Sequence, residues 1–203
     1  MVNMIHRPLD DLKLAATPAN DQADGFDVTM AQIPGGLMLN LRFDPSDAST
    51  KAAIEAVLGT DIPTKANTRS ADGAVWWLGP DEWMITRPDR DGAAADLQAQ
   101  LSGALVGTHH SLVDVSHQFE GFSVSGPLAR DLLAHIVTLD LHPRVMATGS
   151  VSQTVAAHCQ VTFLVNEDAS EYQLFTRRSF VTYLWGRLVD GAADMDVQIK
   201  PAA

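Results

Sequence analysis

The sequence predicts an α+β fold with antiparallel sheets and packed helices, and three observations carry the prediction. Strand-like segments come mostly in pairs joined by tight turns, and hairpins make antiparallel sheets. Helical segments with apolar residues three and four apart are interleaved between those pairs. The chain has 203 residues and 46% hydrophobic content, enough for one large domain or two lobes around a shared core.

Residues 1–24 are polar, with Pro8 and Pro18 and no sustained period, and read as an extended N-terminal arm. Phe26–Ile33 is expected as a strand and Pro34-Gly35-Gly36 as a turn. Leu37, Leu39, Leu41 and Phe43 then alternate with Met38, Asn40 and Arg42, the period of a strand with one buried face. The two segments are expected to form a hairpin. A helix follows from Asp44-Pro45-Ser46, with Ile54, Val57 and Leu58 inward and Gly59 at its end. Residues 67–73 read as polar loop.

Three of the four tryptophans lie in Trp76-Trp77-Leu78-Gly79-Pro80-Asp81-Glu82-Trp83-Met84-Ile85, two apolar strands folded about a Gly-Pro-Asp turn. Alternation puts Trp76 and Leu78 on one face and Trp77 on the other. Strands apolar on both faces are buried between layers or against a partner. A helix carrying Ala94, Leu97 and Leu101 stops near Gly103, so the first half reads ββαββα.

The second half repeats the rhythm. Strands are expected over Ser111–Ser116 and Glu120–Ser125, then a helix behind Gly126-Pro127 with Leu128, Leu132, Leu133 and Ile136 in one stripe. After a turn-like stretch at Leu139–Arg144 come strands at Ser150–Ala156, Gln160–Val165 and Tyr172–Thr176, the last two joined at Asn166-Glu167-Asp168. Ser179 is expected to cap a final helix that turns Phe180, Val181, Leu184, Trp185 and Leu188 inward. The expected division is an arm at 1–24, lobes at 25–105 and 106–195, and a tail at 196–203.

The formal net charge is −11, which disfavours nucleic acid and anionic membranes, both of which need a positive field. The 14 basic residues form no basic run. Cys159 is the single cysteine, so no intrachain disulfide framework exists and a reducing cytoplasm is expected. The N-terminal residues lack the apolar core of a signal peptide, and no run approaches the ~20 apolar residues of a membrane helix. A soluble protein is expected.

Ser125-Gly126-Pro127 lies between strand and helix, but one glycine where a dinucleotide turn needs three makes it a helix start. Asp114, Ser116 and His117 include the residue types of a hydrolytic triad. On a strand Ser116 and His117 diverge, and triads are assembled from distant segments. His109, His110, His117, His135, His142, His158 and Cys159 show no paired metal-ligand spacing.

Asp81 and Glu82 are neighbouring carboxylates at the tip of the aromatic hairpin. In an apolar pocket such an acid binds an amine or a pteridine ring; otherwise Asp81 satisfies the turn and Glu82 faces solvent. Arg177-Arg178 is expected to pair with neighbouring carboxylates and, more weakly, to clamp an acidic partner. No catalytic, cofactor-binding or metal residue is expected in this chain.

Several segments in order carry a resemblance. They are Trp77-Leu78-Gly79-Pro80-Asp81-Glu82-Trp83; Val113-Asp114-Val115-Ser116-His117; Ser125-Gly126-Pro127-Leu128-Ala129-Arg130-Asp131-Leu132-Leu133; Leu139-Asp140-Leu141-His142-Pro143; Gly149 and Thr154; and Arg177-Arg178-Ser179-Phe180 with Tyr183-Leu184-Trp185. Their order and spacing resemble the gamma subunits of heterotetrameric bacterial sarcosine oxidase, over about residues 25–192. The resemblance implies ferredoxin-like α+β lobes similar to the aminomethyltransferase, or T-protein, superfamily of folate-binding proteins. It implies a complex that oxidises sarcosine to glycine, passes the one-carbon unit to tetrahydrofolate and reduces oxygen to peroxide.

In that complex the alpha subunit carries the NAD and folate sites and beta carries FAD. FMN lies between alpha and beta, delta binds zinc, and gamma has no catalytic residues. The expected partners are therefore alpha, beta and delta, chiefly the folate-binding region of alpha. In folate-using relatives an acid near the equivalent hairpin contacts the pteridine, and Asp81 or Glu82 is its positional counterpart. Trp76, Trp77 and Trp83 surround that spot here, and no folate site is assigned. The alternatives are the small subunit of a related N-methylglutamate dehydrogenase-type complex and a free-standing folate-dependent aminomethyltransferase-like protein.

Overall fold

Leu37, Leu39, Leu41 and Phe43 share one face of strand β2 (Leu37–Phe43), and all four are buried. The structure, a computed structural model, describes residues 25–88, 96–166 and 169–200. The expected arm at 1–24 lies outside the described residues, as do Ala94, Glu167 and Asp168. The chain forms two compact units, and their boundaries differ from the expected lobes.

One unit runs from Gly35 to His117 and includes Gly149–Ser152. After β2 come α1 (Ala48–Leu58), β3 (Val75–Gly79), β4 (Glu82–Arg87), α2 (Leu97–Ala104) and β5 (His110–Asp114). The sheet order is β3-β4-β2-β5, with β2 antiparallel to both neighbours and β3 antiparallel to β4. That βαββαβ order is the ferredoxin-like one. The inward residues of β2 meet Ile54 and Leu58 of α1, Leu97 and Leu101 of α2, and Trp83 of β4 in one core.

Helix α1 starts one turn later than Asp44 suggests. Asp44 bonds Ser46 in a local turn, and Asp47 accepts from the N–H groups of Ser49 and Thr50 as the N-cap. Gly59 closes the helix at φ 71°, as its position predicts.

The other unit contains the described residues up to Pro34, Gln118–Thr148, and the described residues from Gln153 onward. Its elements are β1 (Val28–Ile33), β6 (Phe119–Ser125), α3 (Ala129–Ala134), most of β7 (Val151–Ala156), β8 (Cys159–Val165), β9 (Glu171–Arg177), α4 (Val181–Gly191) and β10 (Val197–Lys200). The sheet order is β10-β1-β6-β9-β8-β7. Strands β6, β9 and β8 with α3 and α4 keep the ferredoxin-like arrangement, but β1 from the start of the chain lies beside β6. Phe122, Val124, Phe163 and Leu174 form the core beneath Leu132, Leu184, Trp185 and Leu188.

Three expectations are corrected. β1 and β2 are not a hairpin: β1 pairs antiparallel with β6 and parallel with β10, while β2 pairs with β4 and β5. Gly36 serves packing, since a Cβ there would lie 2.1 Å from the Arg87 carbonyl oxygen. The lobe boundary at 105/106 moves accordingly, with β5 in the first-described unit and β1 in the second. The tail at 196–203 contains β10, held by its pairing to β1.

The junction of β9 and α4 also differs. A 3-10 turn over Arg178–Phe180 precedes α4, and Ser179 makes no cap hydrogen bond. That turn brings Phe180 out to 46% exposure, while Val181, Leu184, Trp185 and Leu188 are buried as expected.

Candidate functional site

The tryptophan hairpin is closed on itself. Trp83 is fully buried, stacks at 4.7 Å on Phe43 and donates its indole N–H to the Pro63 carbonyl at 2.8 Å. Trp76 is 4% exposed and donates to the Gly73 carbonyl, and Trp77 packs against the core from a half-buried position. The outer edge of β3 is covered as well: Trp77 N–H donates to Thr68 and Ser70 N–H to Val75.

The two acids at its tip are held by β2. Arg42 Nη2 lies 2.7 Å from Asp81 Oδ2 with both side chains about half exposed. Asn40 Nδ2 donates to Glu82 Oε1 at 2.8 Å. The register dictates this, because Arg42 sits directly across from Glu82 and next to the turn. An apolar pocket around a carboxylate does not form there; the Asp81 side chain is 51% exposed and salt-bridged.

The Asp114–His117 group is a strand-end fastener. Ser116 Oγ donates to Asp114 Oδ1, and it accepts the Met38 backbone N–H at 2.9 Å. Asp114 also accepts the Ser116 N–H. The hydroxyl is thus oriented by a carboxylate and a main-chain group, which ties the end of β5 to β2. Gly126 serves backbone approach: its φ is +110°, and a Cβ would lie 2.5 Å from the Asp27 carbonyl oxygen. Helix α3 begins at Ala129, past Pro127.

Among the described residues no three His, Cys, Asp or Glu side chains cluster as metal ligands. His110 Nδ1 contacts the Thr108 carbonyl oxygen at 3.1 Å and His142 Nδ1 accepts the Arg144 N–H. Cys159 is buried, and burial pushes its thiol above the ordinary range, away from the reactive thiolate.

An open feature among the described residues lies where β9 becomes α4. Gln118, Arg177, Arg178 and Ser179 line a cleft of about 530 Å³. Arg178 N–H donates to the Gln118 carbonyl at 2.8 Å, and the Arg177 guanidinium stands 6.0 Å from the centre of the Phe119 ring, its cross-strand partner. The expected ion pairs of this arginine pair are not made: no carboxylate among the described residues lies within 4.0 Å of either guanidinium. Tyr183, one helical turn after Phe180, is 48% exposed. Gln118 was not singled out by sequence, and Phe180 was placed in the core by helical spacing that the 3-10 turn interrupts.

A family model described as sarcosine oxidase, gamma subunit family, matches residues 42–194. The chain belongs to that family. It is 32% identical over 150 residues to sarcosine oxidase subunit gamma of an Arthrobacter species, covering 72% of this chain and 71% of that one. It is 29% identical over 170 residues to the subunit gamma of Corynebacterium sp. strain P-1, covering 82% and 81%.

Among solved structures, a chain of heterotetrameric sarcosine oxidase from Corynebacterium sp. U-96, in complex with pyrrole 2-carboxylate, superposes with a TM-score of 0.81. That match has 25% identity and covers 93% of this chain and 95% of that one. Aminomethyltransferase T of the glycine cleavage system from Bartonella henselae matches at TM-score 0.58 and 12% identity, over 87% of this chain and 48% of its own. The second likeness shows a shared fold. The fold of this chain is therefore α+β and similar to that of the T-protein.

Proposed function

We propose that the chain is a non-catalytic accessory gamma subunit of a heterotetrameric sarcosine oxidase, assembled with alpha, beta and delta subunits in the cytoplasm. The complex oxidatively demethylates sarcosine to glycine, with tetrahydrofolate accepting the one-carbon unit and oxygen reduced to hydrogen peroxide. FAD, FMN, NAD, tetrahydrofolate and zinc are bound by the other subunits, and the folate-binding region of alpha is the chief contact of this chain. The observation that carries this reading is the full-length likeness to a chain of a heterotetrameric sarcosine oxidase. It is supported by the state of the chemistry-bearing side chains, since Asp81, Glu82 and Ser116 are engaged within their own sheet. No described helix is long and apolar enough to cross a membrane.

Co-expression with alpha, beta and delta tests it. One co-eluting complex that produces peroxide from sarcosine is expected, and a chain that elutes alone refutes the accessory role. Activity on N-methylglutamate in place of sarcosine would assign the chain to the related dehydrogenase. Tetrahydrofolate titrated into the isolated chain is expected not to bind; binding lost in Asp81→Asn or Glu82→Gln would make it a folate protein in its own right.

A further inference from the structure

We propose that Gln118, Arg177, Arg178 and Ser179, with Phe180 and Tyr183 beside them, form the surface on which a partner subunit docks a carboxylate-bearing segment. The inference rests on the subunit reading above and names the surface that reading leaves open.

Charge is the first argument. The chain carries −11 overall, yet Arg177 and Arg178 line an open cleft, and no carboxylate among the described residues lies within 4.0 Å of either guanidinium. Arg42, Arg144 and Arg187, by contrast, each reach an acid of this chain within 4.0 Å. A guanidinium presents a planar fork that matches a carboxylate, and two adjacent forks beside an amide and a hydroxyl make a site for an acidic side chain. Nucleic acid is a poor occupant, because two arginines do not offset the repulsion of so acidic a chain. A second copy carries the same −11 and is repelled over the same distance.

The aromatic residues are the second argument. Phe180, immediately before α4, and Tyr183, in the first turn of α4, are 46% and 48% exposed. Arg, Tyr and Phe together are the residue types that concentrate binding energy at protein interfaces. The frame beneath them is fixed: Val181, Leu184 and Trp185 are buried, Trp185 meets Phe122 edge-on at 5.8 Å, and Arg178 N–H is bonded to Gln118. A preorganised patch loses little freedom when a partner arrives.

The test uses the full chain and the complex of the remaining subunits, with affinity measured by surface-immobilised binding at several salt concentrations. Arg177→Glu/Arg178→Glu is expected to weaken binding at least thirtyfold, and Phe180→Ala/Tyr183→Ala at least tenfold. Arg144→Glu, an exposed arginine elsewhere in the same unit, should change it less than twofold. Arg177→Gln/Arg178→Gln should flatten the salt dependence of binding, and it serves as the neutral variant if charge reversal impairs folding. Folded Arg177 and Arg178 variants that bind like the wild type overturn the docking surface and leave the subunit role standing. Weakened binding with an unchanged salt dependence overturns the carboxylate. A wild-type self-dimer that Arg177→Glu/Arg178→Glu dissociates gives the surface to a second copy instead. A wild-type chain that binds no other subunit overturns the subunit role and this surface with it.

Discussion

In the β3–β4 hairpin Trp76 and Trp83 are 4% and 0% exposed, and the two acids at the tip are held by Arg42 and Asn40 of β2. At the β9–α4 junction Phe180 and Tyr183 are half exposed and Arg177 and Arg178 meet no acid among the described residues. Both segments concentrate aromatics beside charge. The hairpin is a central and an edge strand of one sheet, so its neighbour β2 holds both acids, while the Gly73 and Pro63 carbonyls accept the indole donors. The junction lies at the end of β9, where cross-strand neighbours stop and a 3-10 turn carries the chain outward. Aromatic density alone therefore marks scaffold; aromatic density at a strand end with unpaired charge marks a surface.

The largest effect separating the two regions is on stability. Trp83→Ala removes a fully buried side chain and should cost about 3–5 kcal/mol in urea unfolding. Tyr183→Ala should stay within about 0.5 kcal/mol, because half the side chain is already in water. Comparable losses at both sites would show that the junction is scaffold too. A finer cut is Trp83→Phe, which keeps a ring against Phe43 and removes the donor to the Pro63 carbonyl. It should cost about 1–3 kcal/mol, the scale of a buried acceptor left unsatisfied together with a small void. A neutral result would make ring volume alone responsible for the hairpin's stability.

The strands and helices were legible because alternation and helical spacing are local. Leu37 to Phe43 alternate and form β2; Leu132, Leu133, Leu184 and Trp185 fall on buried helix faces. Pairing was less legible. Pro34-Gly35-Gly36 looks like a hairpin turn, but a turn signal does not state whether the flanking strands meet, and here the requirement for glycine comes from Arg87, 51 residues on. Val197–Lys200 is a four-residue strand whose partner lies at the opposite end of the described chain, too short for a period to reveal. The acids at 81 and 82 were found by type, but their engagement by Arg42 and Asn40 depends on the β2–β4 register. The open cleft depends on Arg178 bonding Gln118, a contact across 60 residues.

The smallest contrast concerns how a helix begins in each unit, α1 in the hairpin's and α4 in the junction's, and pH exposes it. Asp47 caps α1 by accepting from the Thr50 and Ser49 hydroxyls and from their backbone N–H groups. Those bonds favour the ionised form, with the Thr50 hydroxyl contributing most, and lower the Asp47 carboxyl from 3.8 to about 2. A folded-state value below the unfolded one means that stabilisation is complete above the unfolded pKa and disappears as pH falls through the folded value. Asp47→Ala should therefore lower the melting temperature at pH 7, and the gap to wild type should narrow between pH 4 and pH 2. Ser179, at the start of the opposite region's helix, makes no such bond, so Ser179→Ala should leave the melting temperature unchanged across that range. A pH-independent gap for Asp47→Ala would show that the helix start is held by something other than its carboxylate. A destabilised Ser179→Ala would show that the junction, like α1, caps itself.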